Sequence, residues 1–101
     1  MAVAYIREYA AMGITANALA QAPLEPAMAD QIITTGATAA ASAAFGSQTT
    51  LVAVSTPAAQ AVCVLFGSAP IAGVINLRLP SNSVFFFGVK PGDKVSLIDV
   101  T

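Results

Sequence analysis

The sequence predicts an all-β chain: a small antiparallel β-sandwich or barrel with an extended N-terminal arm. The first observation behind this is spacing. Apolar segments rich in β-branched or aromatic residues, Thr49–Ser55, Ala61–Phe66, Ile71–Leu79, Ser83–Val89 and Lys94–Val100, follow one another at intervals near ten residues. The second is punctuation, because each segment but the last stops at turn-formers: Thr56-Pro57, Gly67-Ser68, Pro80-Ser81-Asn82 and Lys90-Pro91-Gly92-Asp93. The third is charge, since residues 31–77 contain no charged side chain. A solitary soluble subunit normally shows more charge than that to water. The pattern points to a subunit covered by neighbours or, alternatively, to a membrane protein.

Met1–Ala10 alternates Val3, Tyr5 and Arg7 with Ala4, Ile6 and Glu8, which suits a strand or an extended arm equally. Ala11–Asp30 reads as irregular, because Gly13 and Asn17 interrupt it and Pro23 and Pro26 bias the residues before them away from helix. Residues 1–30 are therefore assigned to an N-terminal arm and irregular segment, and residues 31–101 to a β-domain. Gln31–Thr35 is a short strand of β-branched residues. Residues 36–48 follow as a loop or a short helix, with Ala favouring helix and Gly, Ser and Thr favouring loop.

The later segments are clearer. Ser83–Val89 carries Phe85, Phe86 and Phe87 in a row, so it is apolar on both faces, and one face must meet something other than water. In the turn that follows, Pro91 presets φ at the second position and Gly92 accepts the positive φ of a type II turn at the third. That turn is expected to join Val84–Val89 and Val95–Val100 as a hairpin.

At 101 residues the chain buries only about 60–65% of its unfolded surface on folding. Its core is modest, since hydrophobic residues make up 56% but aromatics only 7%, with no Trp. A net charge of −1 and four basic residues, Arg7, Arg78, Lys90 and Lys94, give no footprint for nucleic acid. A single cysteine, Cys63, excludes an intrachain disulfide, and the absence of His argues against zinc. No cofactor is expected. The start is not a secretory leader, because Arg7 and Glu8 interrupt the apolar run, so the chain is expected to stay where it is made. Val52–Leu77 is long enough to span a bilayer, but Pro57 and Pro70 cut it into strand-length pieces with no flanking basic cluster. No membrane span is expected.

Residues for chemistry are scarce. The available bases are Glu8, Glu25, Asp30, Asp93 and Asp99, with no spacing that marks a paired-carboxylate site. Cys63 alternates with Val62 and Val64 and has no basic neighbour to activate it, so it reads as an inert buried thiol. The glycines form neither a GxGxxG nor a GxxxxGK[ST] loop. No catalytic or metal residue is assigned, and the chain is not expected to be an enzyme. Interface residues are expected instead at Tyr5, Ile6, Arg7 and Tyr9 in the arm, at Arg78, and at Phe85, Phe86 and Phe87. Arg7 and Arg78, set within apolar strands, either point to solvent or pair with a carboxylate across a subunit boundary.

The segments VCVLFGSAP (Val62–Pro70), LRLPSNS (Leu77–Ser83) and FFGVKPGDKVSLID (Phe86–Asp99) resemble small virion proteins of tailed bacteriophages, and the opening AYIREYA looks like the start of such chains. The resemblance covers about the last forty residues and no catalytic motif. It implies a capsid decoration or cement protein: a homotrimeric β-rich subunit on the capsid exterior, bound to the major capsid protein and made in the host cytoplasm. A surface-displayed host-attachment module, or a tail or neck protein of the virion, is the alternative. A membrane-inserted phage protein is a third reading.

Overall fold

In a computed structural model, described over residues 2–14, 19–23 and 26–100, the chain is all-β, with no helix among the described residues. The strands are β1 (Ala2–Tyr9), β2 (Met12–Ile14), β3 (Leu19–Pro23), β4 (Ala29–Thr35), β5 (Ala40–Ala41), β6 (Leu51–Ser55), β7 (Val62–Gly67), β8 (Leu77–Leu79), β9 (Val84–Gly88) and β10 (Lys94–Asp99). They form two four-stranded antiparallel sheets, β4-β1-β6-β9 and β5-β10-β7-β8, and a separate β2-β3 pair.

The sheets face each other across a core that alternation dictates. Ala4, Ile6, Ile33, Val52 and Val54 point in from the first sheet; Val62, Val64, Leu79, Val95 and Leu97 meet them from the second. Phe66, Phe85, Phe87 and Val89 pack against this core without full burial. Phe66 and Phe87 contact each other across the sheets with ring centroids 4.9 Å apart.

β1 corrects the expected arm. β1 lies inside the first sheet, hydrogen-bonded to β4 on one side and β6 on the other. Its alternation suits this position, since Ala4, Ile6 and Glu8 turn inward while Tyr5 and Arg7 turn outward. Ala2–Tyr9 is thus part of the β-domain rather than detached from it. The segment expected to be irregular carries the β2-β3 pair, in register with Met12 opposite Pro23 and Ile14 opposite Leu19. β2 follows β1 and β3 precedes β4 along the chain, while the β1-β4 pair belongs to the sandwich.

One further expectation is narrowed and two are corrected. Residues 36–48, for which the sequence leaves loop and short helix both open, form a loop that contains the two-residue strand β5: Ser42 accepts the Val95 amide on its hydroxyl at 3.0 Å and gives its own amide to the Val95 carbonyl at 2.8 Å. Phe45 enters the core from the same stretch, and this tertiary gain overrides the helix propensity of the alanines. Only Leu77–Leu79 of the expected strand Ile71–Leu79 pairs, with β7; Ile71–Asn76 lies as a loop over the second sheet. Finally, Pro91-Gly92 is a tight turn but not a hairpin. Gly92 has φ +85° and the Asp93 amide bonds the Lys90 carbonyl at 3.2 Å, as expected locally. The strands it joins, however, belong to different sheets, β9 pairing with β6 and β10 with β7 and β5.

Candidate interaction site

The residues on the outer side of the first sheet stand in rows set by the strand register. One row reads Ile32, Tyr5, Ser55, Val84, and the next Asp30, Arg7, Ala53, Phe86. Ile32 is 66% exposed, Val84 56%, Tyr5 55% and Phe86 54%. Large apolar side chains thus replace the polar ones that normally alternate outward on a one-sided sheet. A hollow of about 450 Å³ opens on this face, lined by Tyr5, Arg7, Asp30, Ile32, Ala53 and Ser55 among others.

Arg7 supplies the positive charge of that hollow and Asp30 the negative. Arg7 Nε donates to Asp30 Oδ1 at 2.6 Å and Arg7 Nη2 to Asp30 Oδ2 at 3.1 Å, a bidentate pair across the β1-β4 register. The guanidinium bond holds the Asp30 carboxyl below its usual range. Asp30, and after it Tyr9, raise the pKa of Arg7. The expectation that Arg7 pairs across a subunit boundary is therefore corrected: its carboxylate lies in its own chain, and the geometry leaves the apolar groups around it as the unmatched part of the surface.

The other outer face differs in construction but not in character. On β7 and β10 the outward positions include Cys63 and Ser96, and both are buried beneath the loop at residues 71–76. Ser96 Oγ accepts the Ala72 amide at 2.9 Å, and the Cys63 thiol donates to the Val74 carbonyl at 3.5 Å. The thiol is thus buried, as the sequence suggests. The loop presents Ile71, Val74 and Ile75 to the outside, Ile75 at 94% exposure, with Leu77 beside them at the start of β8. Both broad sides of the sandwich consequently carry exposed aliphatic or aromatic groups.

The sequence-derived interface residues divide accordingly. Tyr5 and Phe86 stand on the exposed outer face. Ile6 and Tyr9 do not serve as anchors in the expected way, since both are buried within the chain. Phe85 and Phe87 point inward and are only half-buried, because β9 is the last strand of its sheet. Arg78 is exposed on β8, opposite Cys63. Among the carboxylates, Asp93 sits in the Lys90–Asp93 turn, Asp99 ends β10, and Glu25 lies outside the described residues. No group of three or more His, Cys, Asp or Glu able to hold a metal occurs among the described residues. No helix long and apolar enough to cross a membrane occurs among the described residues.

Sequence reasoning missed Glu8 as a structural anchor. Its carboxylate, 3% exposed, accepts the Gly46 amide at 2.9 Å, the Thr49 hydroxyl at 2.8 Å and the Gln31 side-chain amide at 2.9 Å. Burial pushes its pKa up, but the three donors outweigh that, and the carboxyl titrates below its ordinary range. It also missed Ile32 and the 71–77 loop as exposed apolar groups; the lack of any charge in residues 31–77 was the signal that pointed to them. No family model, curated protein or solved structure matches this chain.

Proposed function

We propose that this chain is a structural virion protein, a capsid decoration or cement subunit that stabilises the head of a tailed bacteriophage by packing against neighbouring proteins. The observation that carries the reading is the apolar surface on both broad sides of one thin sandwich. A subunit wedged between neighbours has two sides to bury, whereas a protein that acts alone in water has none. Resemblance of the last forty or so residues to small phage virion proteins supplies the setting, with the major capsid protein as partner and the capsid exterior as location. The side chains on these faces suit adhesion: Tyr5 and Phe86 offer rigid area, and the Arg7–Asp30 pair gives a polar mark that orients a partner. The work is done by contact, and no covalent step is required of the chain.

Co-sedimentation of the purified protein with capsids assembled from the major capsid protein of the same genome tests this reading. Saturable uptake, a higher capsid melting temperature, and loss of both in Tyr5→Asp or Ile75→Asp are expected. Folded protein that stays in the supernatant at every concentration would sink it.

A further inference from the structure

Four strands end the two sheets, and three of them carry a guard against pairing with a foreign strand. β4 has Asp30, β8 has Arg78, and β5 is only two residues long. β9, with the sequence VFFFG, has neither charge nor proline. Its hydrogen-bond phase follows from its flanks, where the Val89 amide bonds the Thr50 carbonyl and the Thr56 amide bonds the Ser83 carbonyl. Alternation then directs the backbone groups of Phe85 and Phe87 toward β6 and those of Val84, Phe86 and Gly88 toward the open side, where no described strand pairs. The inward rings of Phe85 and Phe87 remain half-exposed at that same edge.

We infer that β9 is a self-association edge, paired antiparallel with β9 of a second copy about a two-fold axis at Phe86. The register makes the edge self-complementary. Phe86 meets its own counterpart, Val84 meets Gly88 of the other copy, and every outward amide finds an outward carbonyl without bringing two charges together. The two four-stranded sheets become one of eight, and the neighbouring strand covers the half-exposed Phe85 and Phe87. This rests on the reading above that the chain works among neighbours, and it names one of them. It also replaces the three-fold arrangement that the resemblance implies with a two-fold one. A single five-residue edge pair covers less than the roughly 800 Å² per partner of a standard interface, so the free dimer dissociates on dilution.

Sedimentation velocity across low micromolar to submillimolar concentration tests the inference. The wild type should show a reversible monomer–dimer equilibrium. Val84→Pro removes an amide that makes no bond within the chain, and Phe86→Lys places a charge on the edge; each should weaken dimerisation by more than about tenfold. Ile32→Lys, on the guarded β4 edge, should leave it unchanged. If Val84→Pro proves misfolded by circular dichroism, Phe86→Lys decides. A wild type that is monomeric throughout, a closed trimer, or a dimer lost in Ile32→Lys but kept in Phe86→Lys overturns the inference. A β9 dimer that ignores capsids supports the inference and overturns the function proposed above; capsid uptake by a chain that is monomeric on and off the shell does the reverse.

Discussion

Arg7 and Asp30 face each other across the first sheet and close a bidentate ion pair within a single chain, although 23 residues separate them. The pair sits on an exposed surface, with side chains 49% and 60% accessible, so salt screens it and its contribution to folding is small. Arg7→Met is expected to leave the urea midpoint nearly unchanged at physiological ionic strength. It should nonetheless weaken capsid binding, because the partner loses the polar mark on an otherwise apolar face. Urea titration and co-sedimentation of the same variant separate the two effects.

Glu8 behaves in the opposite way, since its charge is buried among donors. With a folded pKa below the ordinary 4.5, it contributes stability above that value which is lost as pH falls through the lowered one. Asp30 shifts in the same direction but is solvent-exposed, so high salt suppresses its share. In high salt the wild type should lose stability below about pH 4.5, and Glu8→Gln should show a shallower acid limb. At neutral pH, Glu8→Ala is expected to cost about 3 kcal/mol, because the Gly46 amide, the Thr49 hydroxyl and the Gln31 amide lose their acceptor. Denaturant titrations over a pH series measure both.

Two phenylalanines should respond differently to truncation. Phe45 is 3% exposed, its amide bonds the Asp93 carbonyl and its own carbonyl takes the Gly92 amide, so Phe45→Ala should cost about 3–5 kcal/mol. Phe86→Ala, at a ring that is half in water, should change monomer stability by less than about 1 kcal/mol while impairing association. Equal losses of stability in the two variants would mean that the outer face of the first sheet is not what the register makes it.

At Gly92 backbone conformation dictates the residue. At φ +85° a β-branched side chain is strained, and Gly92→Val should destabilise by about 1–2 kcal/mol, Gly92→Asn by less. Thermal melts of the two variants against wild type check the order.

These residues also show where the sequence was legible. The turn at Pro91-Gly92 could be read because its chemistry is local, but which strands it joins depends on pairings made far along the chain. A reader of VKPGDK sees the bend and not the change of sheet. The all-β class and the β6, β7, β9 and β10 segments were likewise written in apolar runs and their stops. β1 was ambiguous because alternation in AVAYIREY suits a free arm and an internal strand alike; only its pairing to both β4 and β6 decides. For the same reason Ile6 looked like an interface residue and proved to be core. The Phe85–Phe87 run was legible as apolar on both faces, though not that Phe86 is the ring turned outward, whereas Glu8 was not legible, since its donors come from residues 31, 46 and 49.

The central claim is that the two apolar outer faces are contact surfaces, and a cryo-EM reconstruction of capsids carrying this protein tests it most directly. The account predicts neighbouring protein density over Tyr5, Ile32, Val84 and Phe86 on one side, or over Ile71–Leu77 on the other, with the shell or another subunit closing at least one of them. A map in which both faces of the bound subunit look onto bulk solvent, and attachment runs through the charged Lys90–Lys94 turn instead, would contradict it.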